Sequence, residues 1–296
     1  MSFWHGACLY LTVGDFDMVN VKLDEFATYR SSYDYTAYLS NRDWAFEYLR
    51  RNSKFQAVAW EAFGQAPKSK LACHDIKLIR LKTEQPAAEE WGLKFFPNPD
   101  IAAPKATVFW TPEADPEIVH VTVLPREPGE PHDLFDETIK KCKMVHLTDD
   151  KGIEHLVHVG PGRSVQVRCS GHTLVTTKPV KTSFSVDAVR GLDSHLEIVK
   201  RATEVYGDHV KTPPVFSQKA RLLRNGLIAL DGSRAGLTDR QIASIIVGDK
   251  SVEEGMANGD RSLIQRVRYY RERAHELCEG ANGAPPRPID FMCDTR

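Results

Sequence analysis

The sequence predicts an α+β protein: a small N-terminal helical, aromatic domain, a β-rich middle with hairpins, and a C-terminal helical domain of helix-turn-helix type. Three observations carry this. Trp44, Ala45, Tyr48 and Leu49 recur at helical spacing in an aromatic segment. Between residues 117 and 186, short runs alternate apolar and polar, rich in β-branched residues and punctuated by Pro and Gly. From Ser217 to Glu279 the apolar period is helical.

The chain has 296 residues, 42% hydrophobic and 27% charged, ordinary globular usage that excludes a collagen, a coiled-coil rod or a disordered chain. Lys and Arg number 39 against 40 Asp and Glu, a formal net charge of −1. Such a chain is no general polyanion binder, so any nucleic-acid contact needs a local basic stripe. Six cysteines (Cys8, Cys73, Cys142, Cys169, Cys278, Cys293) form no CxxC pair and follow no zinc spacing, which fits reduced thiols. The apolar start Met1–Val13 lacks a basic leader and is followed by Asp15 and Asp17, a poor signal peptide. No apolar run nears the roughly 20 residues of a bilayer span. The expectation is a cytoplasmic protein without a membrane segment.

Residues 1–30 show no periodicity and are read as an extension. In the 31–112 domain, Ser40 or Asn41 caps a helix to Arg51, and Phe55, Val58, Ala59 and Phe63 predict a second from Lys54. Their aromatic cluster is read as a small core in preference to a partner surface. Ile76–Leu81 and Ala106–Trp110 read as strands, with Pro97 and Pro99 interrupting regular structure between them. The 113–210 domain holds strands at 117–124, 155–159, 164–168, 173–177 and 182–186. Gly160-Pro-Gly-Arg163 turns the hairpin between the second and third. Asp187 opens a closing helix to about Tyr206. Residues 217–279 form the helical domain, and 280–296 are read as a Pro- and Gly-rich flexible tail.

Three C-terminal helices are legible. The first runs from an N-cap at Ser217 to about Leu230 and stops at Asp231-Gly-Ser. The second, Leu237–Gly248, has a Thr238/Gln241 capping box, a Leu237/Ile242 staple and a stop at Gly248. Small Ala243 on its inner face suits close approach by another helix. The last starts near Asp260, with Leu263, Val267, Tyr270, Ala274 and Leu277 on one face. Between Arg261 and Arg273 lie five arginines and one acid, Glu272: the local basic stripe. Guanidinium forks suit phosphate oxygens or guanine O6 and N7, and Gln265 suits adenine. The candidate contacts are Arg240, Arg261, Gln265, Arg266, Arg268, Tyr269 and Arg273. The N-terminal amides near Asp260 are a further place for a phosphate. The eleven residues between Gly248 and Asp260 exceed a simple helix-turn-helix turn, so either an extra short helix intervenes or the geometry differs.

The segments 237–248 and 262–274 resemble the RovC-type DNA-binding domain, a bacterial family, and residues 154–206 resemble the β-rich part that precedes it. Asp34–Asn52, with Trp91–Phe96 and Val108–Trp110, resembles the transcriptional regulator-like N-terminal domain often fused to it. The resemblance implies a transcriptional activator of promoter DNA, often of integrative and conjugative elements or secretion genes. As a bacterial regulator it is expected to be at least a dimer, with RNA polymerase or an antiactivator as further partners. The family's basic, aromatic C-terminal stretch is replaced here by Cys278–Pro286, so no contact is carried over to the tail.

A second reading keeps the same helices but has them bind another regulator in place of DNA, as an antiactivator does. A third, a recombinase with a Tyr269 or Tyr270 nucleophile, lacks the remainder of a catalytic set. No catalytic, metal or cofactor pattern is legible. His155 and His158 fall on opposite faces of a strand, and His275-Glu-Leu-Cys-Glu279 lacks the second zincin histidine. The chain is expected not to be an enzyme.

Overall fold

A computed structural model describes residues 29–63, 67–71, 76–131, 133, 143–160, 163–176, 178–185, 196, 199–200, 215–280 and 283–292. The fold is α+β, with a helical C-terminal region and a mixed seven-stranded sheet among the described residues. Two compact units partition the chain: residues 35–220 with 276–296, and residues 1–34 with 221–275. Residues 1–28 of the extension read over 1–30, and most of the helix read over 187–206, lie outside the described residues.

The first unit opens with helices α1 (Asn41–Leu49) and α2 (Ser53–Phe63). Ser40 Oγ accepts from Asp43 N–H while the Asp43 carboxylate accepts from Ser40 N–H, closing a capping box on α1. Asn52 caps α2: its Oδ1 accepts from the N–H groups of Lys54 (2.9 Å) and Phe55 (3.0 Å). Its Nδ2 also donates to Cys278 O at 2.8 Å. The aromatic residues form a core, as expected, with Trp44, Phe46, Tyr48 and Phe55 buried. A short helix, α3 (Pro86–Glu89), follows.

The strands are β1 (Ser69–Leu71), β2 (Lys77–Arg80), β3 (Val119–Pro125), β4 (Lys143–Thr148), β5 (Glu154–Gly160), β6 (Arg163–Gly171) and β7 (Val180–Ser185). Their order is β1-β2-β4-β5-β6-β3-β7. β2–β4 and β3–β6 are parallel, and the other neighbours are antiparallel. The predicted hairpin is β5–β6, in register His155↔Arg168 and Val157↔Gln166. Side chains alternate across the sheet. One face buries Val119, Val121, Val123, Met144, Leu156, Val167 and Cys169, and the other buries Ile79, Leu147 and Val157 against Phe95 and Phe109.

Two predicted strands are absent. In Ala106–Trp110 only an isolated bridge, Leu93↔Trp110, forms. Trp110 N–H donates to Gln166 Oε1 (2.9 Å) and Gln166 Nε2 donates to Trp110 O (2.8 Å), so a side-chain amide occupies the place of a partner strand. In 173–176, Thr173 Oγ1 accepts from Val175 N–H and Glu154 accepts from Leu174 N–H, which leaves those donors unavailable to a ladder. Leu174 is nevertheless buried in the sheet core.

Gln166 Oε1 also accepts from Arg42 Nη2 at 2.6 Å. Arg42 Nε lies 2.8 Å from Asp115 Oδ2, a close ion pair with both side chains enclosed. Burial pushes the Asp115 carboxyl above its ordinary pKa, and Arg42 offsets this only in part. Arg42→Met is therefore expected to lower stability by about 3–5 kcal/mol, since it strands a buried carboxylate. Adding Asp115→Leu should restore part of it. Urea unfolding of both variants checks this, and an additive loss in the double variant would refute the coupling.

Burial drives His155 and His158 down to about 4, so both are neutral in the fold at pH 7. Below pH 6.5 the unfolded chain binds protons that the folded chain refuses, so stability falls as pH drops from 6.5 toward 4. The expected loss is roughly 2 kcal/mol per histidine at pH 5. Burial would raise Glu47, but Arg51 and Arg50 hold it at about 2, so its contribution is lost as pH falls from 4.5 toward 2. Unfolding midpoints at pH 7.5 and 5.0 should differ for the native chain and converge in His155→Gln/His158→Gln. Equal midpoints in the native chain would defeat the assignment.

Candidate nucleic-acid interface

The second unit carries the basic stripe. Its helices are α4 (Gln218–Arg234), α5 (Asp239–Val247), α6 (Asp249–Ala257) and α7 (Ser262–Glu279). The terminal turns of α4 and α7 belong to the first unit. α4 does not stop at Asp231-Gly-Ser. A Cβ on Gly232 would lie 3.0 Å from Ile242 Cγ1, so this glycine permits close packing on α5 and does not end the helix. The chain turns at Gly236, φ +80°, where Leu237 N–H returns to Gly232 O at 2.9 Å.

α5 matches its prediction. Thr238 Oγ1 accepts from Gln241 N–H, Gln241 Oε1 accepts from Thr238 N–H (2.9 Å), and Gly248 caps the end at φ +93°. Ile242, Ala243, Ile245 and Ile246 are buried. Helix α6 fills the long connection to α7, so the extra short helix is the alternative that holds. Val252 is its buried residue.

On α7, Val267 and Ala274 are buried, while Leu263, Tyr270 and Leu277 are half-buried. Arg261, just before the helix, and Gln265, Arg266, Arg268 and Tyr269 are exposed; Arg273 is half-buried. At about 100° per residue, Gln265 and Tyr269 sit mid-way round the exposed arc, with Arg266 toward one border and Arg268 toward the other. Arg240 is exposed in the first turn of α5.

An acid missing from the sequence reading organises this face. Asp239, the first residue of α5, accepts from Arg268 Nε at 3.0 Å and from Arg271 Nη1 at 2.6 Å. Burial opposes its ionisation, but the two arginines bring its pKa below the ordinary carboxylate value. Asp239 thus pins the start of α5 to α7 and fixes where the Arg268 guanidinium stands. Arg271, counted in the stripe, serves this clamp. The only hint in the sequence is an acid in the first turn of a helix, a common feature that names no partner.

The N-terminal amides of α7 are not an open anion seat. Asp260 Oδ1 accepts from Ser262 N–H (2.7 Å) and Oδ2 from Ser262 Oγ (3.0 Å), which holds its carboxyl below the ordinary range. Arg261 stands at this tip beside the Asp260 carboxylate, and the other arginines lie along the side of α7. Rings of Tyr269 and Tyr270 stand 6.0 Å apart at 54°.

Compared with protein-family models the chain matches none, and no curated protein is significantly similar to it. The resemblance of 237–248 and 262–274 to RovC-type domains rests on those residues themselves. Among the described residues, no helix is long and apolar enough to cross a membrane.

Asp239→Asn is expected to destabilise this unit by roughly 1–2 kcal/mol, since it weakens two charge-assisted bonds. Arg268→Ala should cost under about 1 kcal/mol, because its side chain is mostly solvated. Denaturation followed by far-UV circular dichroism ranks them, and the reverse order would contradict the clamp.

Proposed function

We propose that this chain is a cytoplasmic, sequence-specific DNA-binding transcriptional activator that contacts duplex DNA through α7, with α5 as its support. One observation carries the reading: a solvent face of α7 displays Gln265 and Tyr269, with Glu272 about two turns beyond Gln265, between flanking arginines. That order suits a helix offered to the major groove. Guanidinium groups at the borders reach phosphates on the two strands, and planar polar side chains in the middle reach base edges.

In this reading Arg261, Arg266 and Arg240 are the phosphate contacts. Arg268 is oriented by Asp239, and Gln265 reads an adenine or a neighbouring donor and acceptor pair. Arg273, half-buried, contributes at the edge. Net charge of −1 fits this division, because affinity then comes from a few contact-range cations and not from a general field. The resemblance to RovC-type domains adds the activator role and the expectation of mobile-element transfer or secretion promoters. A symmetric oligomer is proposed, since one α7 covers only about half of a typical palindromic operator.

Selection from a random duplex library tests the reading on the purified full chain. Wild type should enrich a motif, and Arg266→Ala/Arg268→Ala/Arg273→Ala should lose it at unchanged helicity. The slope of log K against log salt should also become shallower by roughly 0.9 for each phosphate contact removed. Equal enrichment by both proteins would move the contact off α7. Enrichment by neither would defeat the DNA reading in favour of a protein partner at this face.

A further inference from the structure

The first unit contains a cleft of about 450 Å³ that the proposed DNA contact does not use. Four parts of the unit line it. Gly92 and Lys94 come from the loop bridged to Trp110, and Asp149 and Ile153 from the β4–β5 turn. His155 and Arg168 are cross-strand partners on β5 and β6, and Arg287 precedes the 3₁₀ turn Pro288–Phe291. Its frame is fixed by backbone bonds. Lys94 N–H donates to Phe109 O (2.8 Å), and Asp149 Oδ1 accepts from the N–H groups of Lys151 (3.1 Å) and Ile153 (2.8 Å). Gly92 has φ +74°, and a Cβ there would lie 2.7 Å from Ala114 Cβ, so no larger residue can floor the cleft.

The charges in the cleft do not cancel in pairs. Lys151 is matched to Glu84 at 3.1 Å. Lys94 Nζ lies 3.8 Å from both Glu89 and Asp149, shared between two carboxylates. Arg168 and Arg287 have no carboxylate within ion-pair distance among the described residues, although Glu113 also lines the cleft. Arg287 Nε is also enclosed without a hydrogen-bond acceptor. A buried guanidinium N–H left unbonded is costly, and a fold that keeps two unpaired guanidinium groups around one cleft is built for an incoming anion.

His155 refines the chemistry. Its Nε2 lies 3.2 Å from Asp149 Oδ2. Burial would raise the Asp149 carboxyl, but the Ile153 amide, His155 and Lys94 bring it below its ordinary value, so it accepts. The imidazole proton therefore sits on Nε2, and Nδ1, which is buried without a partner, presents a lone pair. A lone pair is satisfied by a hydroxyl or amine donor and not by an anionic oxygen.

We infer that this cleft binds a small organic anion, a carboxylate or phosphate held by Arg168 and Arg287, that also carries a hydroxyl or amino group for His155. The two guanidinium forks match either kind of oxyanion. The volume suits a metabolite and not a folded partner. The inference rests on the first unit alone and is independent of the DNA reading.

Isothermal titration of the full chain with malate, succinate and glycerol 3-phosphate, against sodium chloride at matched ionic strength, tests it. Saturable binding by malate or glycerol 3-phosphate is expected, and which of them binds separates a carboxylate from a phosphate ligand. Succinate, which lacks the hydroxyl, should bind malate's site at least threefold more weakly. Arg168→Gln and Arg287→Gln should each weaken binding at least tenfold. Should Arg168→Gln fail to fold, Arg287→Gln, carried outside the sheet, tests the same point. A ligand-induced shift of the His155 ring nitrogens, with those of His158 unmoved, is the second readout. No saturable binding by any probe, or undiminished binding by folded Arg287→Gln, overturns the proposal.

Discussion

The first unit depends on the side chain of Gln166. It projects from a central strand onto the face that α1 covers, and it is fully enclosed. An enclosed amide must satisfy its donors and its acceptor from protein groups. Gln166 does so with Arg42 on α1 and with both backbone groups of Trp110. One side chain thus joins a helix, a non-strand segment and the sheet. The neighbouring column continues the pattern, since Ser164 Oγ donates to Asp43 Oδ1 at 2.8 Å. Polar bonds here fix which part of α1 meets which strand, a specificity that Trp44, Phe46 and Tyr48 do not supply, since apolar contact is non-directional.

Sequence distance between partners decides which parts of the fold are legible in the sequence. The α5 capping box, the β5–β6 hairpin and both N-terminal helices follow from local rules, because their signals concern residues a few positions apart. β4 is not legible in the sequence because Met144 and His146 are buried on one side and Leu147 on the other, so no apolar–polar alternation survives. Ala106–Trp110 has the composition of a strand, but its partner is a side chain 56 residues away. Gly232 looks like a helix stop because glycine usually is one. Only the position of Ile242 reveals it as a point of close approach. The candidate face was legible as charge and period, whereas the Asp239 clamp was not, since sequence distance hides a pair separated by 29 residues.

That clamp bears on what α7 can do. A chain with net charge −1 exerts no long-range pull on a polyanion, and beyond the Debye length of about 8 Å at physiological salt its individual charges are screened. Under the proposed DNA reading, discrimination by α7 arises at contact range, where orientation outweighs the number of charges. Asp239 removes positive charge from the face yet restricts two of its arginines, Arg268 and Arg271. A free arginine loses about 2 kcal/mol of rotamer freedom when it is fixed on a ligand, and one already held by a carboxylate has lost part of it in advance. Under that proposal the arrangement trades non-specific affinity for directed contacts, and a chain built this way is a reader of particular sequences in preference to a general coat for DNA.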